Sequence, residues 1–376
     1  MKHAQHGQRR AGLTMVELIC ALGILAVLMV LVFKLIERTL TVWRTSETRQ
    51  SVLEQASSVG DLFAHDLRGL ENGAQGDVVL EWVRFDTDGD GVLESKWPRL
   101  RLVRAASSAE VARLTEQQRR ANGEPQTGEA QSGGVQARVL RASQGLVEVI
   151  WLVAPASLTD PDARAEGILW RGERLVDDPA TKSFFAPDFL GSSGRPPAGA
   201  TEELTTGILW MRVLCAAQTS VVHDGWKLGN EPADATAAWD AWGKQRPDAS
   251  SVGWNQVHPG IVVANGRPAL PRRVRLELEV ERASDRLRRT RLVQIVDSAD
   301  ARIAVDDGER LPAPGSAILI DSEWMELGAV SGDSAAVKRA VRGTTARSHT
   351  AGALVHFGAP LAREVVVSTA RENWNP

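Results

Sequence analysis

The sequence predicts an α+β fold, in which a long N-terminal helix packs on an antiparallel β-sheet. The first observation is an apolar run, because no charged residue occurs between Leu18 and Phe33. The second is a change of period, since apolar residues recur at helical spacing until about Leu70 and strand-like segments begin at Val78. The same pattern predicts inserted loops in the β-rich part and a small β module at the C-terminus.

The N-terminal helix is predicted to cover residues 13–72 in two halves. The first half, residues 13–33, is apolar and long enough to cross a membrane if Glu17 is tolerated near one end. The second half is amphipathic, with apolar residues on one face and charged residues on the others. Asn72 and Gly73 provide a stop signal for the helix.

Short apolar segments bounded by turn residues are predicted to be strands. They are Val78–Phe85, Leu100–Val103, Leu146–Val153, Gly167–Arg171, Ile208–Leu214 and Val274–Val280. Residues 106–143 and 178–203 are predicted to be insertions, the first of them partly helical or disordered. The sequence therefore predicts a β-rich globular domain over residues 73–298 and a C-terminal β module over residues 299–376.

The composition argues against several functional classes. The formal net charge of -3 at pH 7 gives no indication of nucleic-acid binding. An intrachain disulfide is not expected, because Cys20 lies in the apolar run and Cys215 in a strand-like segment. The histidines show no metal-binding spacing, and no phosphate-binding or dinucleotide-binding motif occurs. We therefore expect neither a nucleic-acid partner nor an enzymatic activity.

The N-terminus carries the most informative motif. A basic leader, residues 1–12, ends at Gly12 and is followed by Leu13 and by the apolar run that contains Glu17. A carboxylate inside a membrane costs at least about 2.5 kcal/mol on insertion scales, so Glu17 is expected to have a specific role. This pattern resembles the prepilin signal of type IV pilin-like proteins.

The resemblance implies processing by a prepilin peptidase on the cytoplasmic side of the membrane. Cleavage would follow Gly12, Leu13 would become the methylated N-terminus, and Glu17 would be the fifth mature residue. The family usually has Phe where Leu13 stands. In a filament, Glu17 could meet the α-amino group of a neighbouring subunit, which would offset the cost of burial. A secretory signal peptide and a plain membrane anchor are the alternatives.

Several later segments resemble one pilin subclass, the J-type minor pseudopilin of type II secretion. These segments are Phe63–Arg68, Val147–Leu152, Ile168–Arg171, and Trp239 and Trp242 ahead of Leu270–Leu276. Their order along the chain carries the resemblance, and a generic pilin-like protein with an unrelated sheet is the alternative. The subclass implies a single-pass protein of the bacterial inner membrane, with its N-terminus in the cytoplasm and its globular domain in the periplasm.

The implied function is structural. The subunit would assemble with other pseudopilins or minor pilins into a periplasmic pseudopilus, in the tip complex. A minor type IV pilin acting as an adhesin or in DNA uptake is the alternative, and a membrane-anchored enzyme is a third class. The C-terminal module is also similar to short β modules of some phage-tail and bacterial surface proteins, which suggests structural elaboration or a partner contact.

One polar segment predicts a calcium site. Asp86, Asp88 and Asp90 alternate ahead of a glycine, as at the start of a calcium-binding loop, and Glu94 falls at the ninth position. The twelfth position, where a bidentate acid would be expected, is Trp97. The alternative is a polar hairpin turn, because Asp-Gly pairs are strong turn formers.

Two other charged segments are predicted to be exposed. His65 and Asp66 are expected to form a solvated pair at the end of the helix. The arginine-rich segment Arg286–Arg291 is interrupted by Leu287 and is expected to be an exposed hairpin, with a phosphate-binding patch as the alternative.

Overall fold

The structure is a computed structural model of the 376-residue chain. It describes residues 57–86, 95–121, 145–157, 165–179, 181–186, 188–190, 195–197, 199–217, 226, 231–232, 235–246 and 266–368, with positions 15, 22, 24, 25, 28–34 and 36. The chain divides between Leu53 and Glu54 into two compact units.

In the first unit, the described positions from Met15 to Ile36 are helical. Their large apolar side chains are exposed, from 49% at Ile36 to 79% at Met15. Among the positions that the structure describes, no helix combines the length and the apolar character that crossing a bilayer requires.

The fold is mostly antiparallel β-structure, so the predicted α+β class with a long N-terminal helix is wrong. Helix accounts for only about 20% of the structure, in short segments, and both sheets curl. The described part of helix α1 covers residues 57–68, and the helix ends before Gly69, ahead of a bridge between Leu70 and Arg104. The predicted helix 13–72 also crosses the boundary between the two units. Apolar spacing identifies helical segments, but it does not show that successive segments belong to one helix.

The second unit contains fifteen described strands in two sheets. In chain order they are β1 (Val78–Phe85), β2 (Ser95–Ala105), β3 (Leu146–Pro155), β4 (Gly167–Leu175), β5 (Glu202–Ala216), β6 (Ala235–Thr236), β7 (Trp239–Asp240), β8 (Arg273–Val280), β9 (Thr290–Arg291), β10 (Arg302–Ala304), β11 (Ala317–Ile320), β12 (Glu323–Ser331), β13 (Ser334–Lys338), β14 (Leu354–His356) and β15 (Ala359–Val366). The described helices of this unit, besides α1, are α2 (Ser108–Ala121) and the single turn Ala283–Arg286, with 3-10 turns at Gly243–Gln245, Gly308–Arg310 and Val341–Gly343.

The larger sheet has the strand order β15-β8-β5-β4-β3-β2-β1-β7, with β6 beside β5. Its central strand β3 is buried along its whole length, as expected of an almost continuous apolar segment. Helix α1 packs on the face that carries Trp151, whose ring lies edge-to-face against Phe63 with the ring centroids 5.5 Å apart. Val111 and Leu114 of α2 join the same core.

The smaller sheet has the strand order β10-β13-β12-β11-β14-β9 and a core of its own. It lies in the sequence between β8 and β15, which are neighbours in the larger sheet and pair from Val280 with Ala359 onwards. The smaller sheet is therefore an insertion between two paired strands, and the predicted module 299–376 includes a strand of the larger sheet.

Candidate functional site

The residues of the predicted processing site lie outside the described part of the chain. These are Gly12, Leu13 and Glu17. Cleavage and methylation at this position remain predictions from the sequence.

The predicted calcium site lies in the connection between β1 and β2, which pair as an antiparallel hairpin. Asp86 follows β1 directly, whereas Asp88, Asp90 and Glu94 lie outside the described residues. Calcium binding here also remains a prediction.

The best-defined polar site lies where α1 packs on the larger sheet. We call it the Asp66 cluster, and it consists of Asp66, Arg104, Glu110, Arg171 and Glu173. Asp66 is completely buried. Arg171 donates two hydrogen bonds to its carboxylate, from Nε to Oδ2 at 2.8 Å and from Nη2 to Oδ1 at 2.7 Å. The Nε atom of Arg104 lies 3.1 Å from Oδ1. Two guanidinium groups therefore replace the water that the carboxylate has lost.

Trp151 completes the surroundings of Asp66. Its indole Nε1 donates a hydrogen bond to Oδ2 of Asp66 at 2.8 Å. Trp151 lies on β3, and its partner in the β3–β4 register is Arg171. The pairing of these two strands thus brings an indole and a guanidinium group together beneath a single turn of α1.

Two glutamates extend the cluster towards α2. Glu173 accepts a hydrogen bond from Arg104 at 2.7 Å and further hydrogen bonds from Arg171 and Arg113. Burial acts to raise the pKa of Glu173, but the neighbouring arginines, Arg171 foremost, outweigh it and lower the pKa to about 2. Burial likewise acts to raise the pKa of Glu110, but hydrogen bonds at the start of α2 and from Arg104 lower it to about 2.

The expectation of a solvated His65–Asp66 pair is wrong for Asp66. His65 is exposed, and its Nε2 lies 3.3 Å from Oε1 of Glu110, whereas Asp66 faces the sheet. Neighbouring residues on a helix point about 100° apart, so one can be exposed while the next is buried. The sequence held a usable signal, because Asp66 lies three residues after Phe63 and so on the apolar face of the helix.

The last segments of the J-type resemblance are also in contact. Trp239, in β7, donates a hydrogen bond from Nε1 to the carbonyl oxygen of Ala269 at 2.8 Å, directly ahead of Leu270. Trp242 donates from Nε1 to the carbonyl oxygen of Gly76 at 2.9 Å. These bonds tie the segment that carries the two tryptophans to the segment before β8 and to the segment before β1.

A second buried cluster lies between the two sheets and has the donor groups of a metal site. Glu166, Glu281 and His356 are buried, with one potential ligand atom each within 4.8 Å of one another. However, Arg289 donates hydrogen bonds to both carboxylates, and Arg286 donates to Glu166. Burial acts to raise the pKa of Glu281, but Arg289 and His356 outweigh it and lower the pKa to about 2. The geometry therefore favours an ion-pair network that fastens one sheet to the other.

The arginine-rich segment Arg286–Arg291 also contacts the protein itself. The segment starts in a single helical turn and ends in β9, instead of forming the expected hairpin. Arg288 donates to the carbonyl oxygens of Arg310 and Leu311, and Arg291 donates to that of Gly352 at 2.8 Å. The guanidinium groups of Arg288 and Arg291 thus hold turns of the smaller sheet in place.

Cys215 is a buried, free thiol in β5. Burial raises the pKa of this thiol, so the reactive thiolate is disfavoured. The side chain belongs to the main core, where a neutral thiol behaves as a small apolar group.

No protein-family model matches the chain, and no curated protein sequence matches it. The prepilin and J-type resemblances therefore depend on the residues named above, and the function is inferred from those residues and from the geometry.

Proposed function

We propose that this chain is a pilin-like structural subunit that a prepilin peptidase processes and that assembles into the pseudopilus of a type II secretion system. The observation that carries the proposal is the N-terminal pattern, in which a basic leader ends at Gly12 and Glu17 is the single acidic residue of the following apolar run. In this proposal the N-terminal segment is anchored in the inner membrane and the β-rich part lies in the periplasm. The subunit is a minor pseudopilin of the tip complex.

The exposed apolar side chains of the first unit support assembly. At the described positions from Met15 to Ile36, the large apolar side chains are about half exposed or more. Removing apolar surface from water is worth about 25 cal/mol per Å², so lipid or the apolar helices of other subunits would cover this surface favourably. Glu17 would then need a compensating charge, which the α-amino group of a neighbouring subunit can supply.

Contacts in the second unit support the J-type assignment within this proposal. The resemblance draws on segments far apart in the sequence, and Asp66 lies hydrogen-bonded to both Trp151 and Arg171. Trp239 is likewise hydrogen-bonded to Ala269, the residue before Leu270. Segments matched only by their order along the chain are thus neighbours in space.

The decisive experiment is the intact mass and N-terminal sequence of the membrane-extracted protein, with and without co-expressed prepilin peptidase. We expect a mature chain that starts at Leu13 and carries one added methyl group. The variant Gly12→Val should block cleavage by crowding the scissile bond, whereas Gly7→Val, elsewhere in the leader, should not. A wild-type chain that still starts at Met1 in the presence of the peptidase would overturn the proposal.

The variant Glu17→Ala separates processing from assembly. Cleavage should be largely unchanged, whereas the amount of subunit in the filament or tip fraction should fall because the charge pairing with the neighbouring subunit is lost. Quantitative blotting of cell-associated and assembled fractions measures both quantities. Incorporation at the wild-type level would show that Glu17 does not set the packing of subunits.

A second candidate function is a minor type IV pilin that binds an external ligand as an adhesin or in DNA uptake. The observation that favours it is the smaller sheet, which is inserted between β8 and β15 and has its own core.

A variant without the smaller sheet separates the two functions. A deletion from Ala301 to the C-terminus would also remove β15, so a sharper variant replaces residues 283–357 with an Asn-Gly turn and keeps the β8–β15 hairpin. Retained assembly with lost ligand binding would favour the adhesin. Retained assembly with unchanged binding and impaired secretion would favour the pseudopilin.

A further inference from the structure

The segment from Arg339 to His349, which we call the latch segment, connects β13 to β14 in the smaller sheet. Two of its residues, Ala340 and Arg342, both have φ of 56°, in the left-handed region. This conformation costs a residue with a side chain roughly 1–2 kcal/mol. Contacts at both ends of the segment compensate for that strain.

At one end, Arg342 joins the two sheets. Its guanidinium carbon lies 4.4 Å from the ring centroid of Trp210, on β5 of the larger sheet, and 4.2 Å from that of Trp324, on β12 of the smaller sheet. Its Nη2 donates a hydrogen bond to Oε2 of Glu279, on β8, at 2.6 Å. One cation thus stacks between an indole from each sheet and is neutralised by a buried carboxylate.

At the other end, His349 is buried between two carboxylates. Its Nδ1 lies 2.6 Å from Oδ2 of Asp321, and its Nε2 lies 3.0 Å from Oε2 of Glu323. An imidazole that contacts an acceptor through each nitrogen satisfies both only when it is protonated, because the neutral ring has a single N–H.

The other charged and polar groups around His349 are also defined. Arg339 donates to both oxygens of Glu323, each at 2.7 Å, and to the backbone carbonyl oxygens of Asp297 and Asp300. The hydroxyl of Ser348 lies 3.3 Å from the Asp297 carboxylate. The backbone N–H groups of Ala340 and Arg347 donate to Glu323 at 3.0 and 2.9 Å.

The two ends of the segment meet on neighbouring residues of β12. Glu323 receives the contacts of His349 and Arg339, and Trp324 receives the contact of Arg342. Thr344, in the middle of the segment, accepts a hydrogen bond from the backbone N–H of Trp324 at 3.1 Å and donates to the carbonyl oxygen of Val341 at 2.8 Å. Glu323 and Trp324 are consecutive residues of β12, so a change at Glu323 reaches Trp324 through a single peptide bond.

We propose that the latch segment couples the protonation of His349 to the docking of the smaller sheet on the larger one, through the stacking of Arg342 between Trp210 and Trp324. This inference concerns the second unit and does not depend on the proposed function.

The direction of the pH dependence follows from the two titrating groups. Burial acts to lower the pKa of His349, but Asp321 and Glu323 outweigh it and the pKa is raised above 6.5. Its stabilising contribution is therefore complete below about pH 6.5 and is lost as the pH rises through the raised value. Burial acts to raise the pKa of Glu323, but Arg339, the backbone of Arg347 and His349 lower it to about 2. The latch is thus expected to be strongest in mildly acidic solution.

Hydrogen exchange of the full-length protein in detergent micelles, followed by mass spectrometry at pH 5.5 and 8.5, tests the coupling. After correction for the intrinsic rates, peptides covering the latch segment, Trp324 and Glu279 should exchange at least about threefold faster at pH 8.5 than at pH 5.5, because the contribution of protonated His349 is lost. The variant His349→Gln should remove this pH dependence, and His65→Gln, at an exposed histidine, should keep it. Equal pH dependence in wild type and His349→Gln would overturn the proposal.

A second variant keeps the proposal testable if His349→Gln does not fold. Arg342→Lys retains the charge but loses planar stacking, so the pH dependence should persist in the latch segment and disappear at Glu279, on the larger sheet. Transmission to the larger sheet at the wild-type level in Arg342→Lys would show that Arg342 is not the coupling group.

Discussion

At the scale of single residues, buried carboxylates are held by arginines that are distant in the sequence. Asp66 binds Arg171, and Glu166 binds Arg289, with both carboxylates buried. A sequence pattern can indicate that Asp66 lies on the apolar face of α1, but it cannot name the partner. The partner is selected by the register of β3 and β4, which is a property of the sheet.

Asp66→Asn is expected to destabilise the protein by about 3–5 kcal/mol, because it leaves buried guanidinium groups without their counter-charge. The matched control is Asp61→Asn, earlier in the same helix α1, whose carboxylate pairs with Arg363 at 2.7 Å but is largely exposed. That variant should cost less than about 1 kcal/mol. Urea unfolding measures both, and equal losses would argue that burial of the Asp66 cluster is not what stabilises it.

At the scale of elements, the strands were predictable and the helix was not. Each predicted strand, from Val78–Phe85 to Val274–Val280, lies within an observed strand, because the apolar β-branched segments are short and bounded by turns. The first predicted insertion contains α2. The helix 13–72 failed because periodicity is a local signal, whereas continuity depends on tertiary contacts such as the bridge from Leu70 to Arg104.

Gly207 is an element-scale requirement in β5. Its φ is +73°, its carbonyl oxygen accepts the backbone N–H of Glu281 at 2.8 Å, and an added Cβ would lie 2.8 Å from the Glu281 carbonyl oxygen. Gly207→Ala should therefore combine backbone strain with a steric clash and cost about 2–4 kcal/mol.

The control for that substitution is Gly199→Ala, where φ is +78° and nothing lies within 4 Å of the added Cβ. It reports the backbone strain alone, which is about 1–2 kcal/mol. The difference between the two variants in thermal unfolding gives the cost of the clash, and no difference would mean that β5 relaxes around the methyl group.

At the scale of the whole molecule, the ion pairs predict sensitivity to acid. The pKa values of Glu173, Glu281 and Glu323 are all about 2, below the ordinary value of 4.5. A carboxylate with a depressed folded-state pKa contributes stability above the ordinary value, and that contribution is lost as the pH falls towards the depressed one. The melting temperature should therefore fall steeply between about pH 4.5 and pH 2.

The variant Glu173→Gln serves as the control for this acid dependence, since it removes one titrating group in the Asp66 cluster. Its melting temperature should be lower than that of wild type at pH 6, and the difference should shrink by pH 2.5. A constant difference in melting temperature across this range would show that the pKa of Glu173 is the same in the folded and unfolded states.

The pairing of Val280 with Ala359 has a consequence for the order of folding. Bringing these residues together in an unstructured chain costs about 4 kcal/mol in loop-closure entropy. If the smaller sheet forms first, its ends already lie side by side, because its first and last strands, β9 and β14, pair through Thr290 and Val355. The folded insertion would thus hold β15 close to β8 and reduce the entropy cost of pairing them. In pulsed hydrogen exchange during refolding, the amides of β11 and β12 should therefore become protected before those of β15.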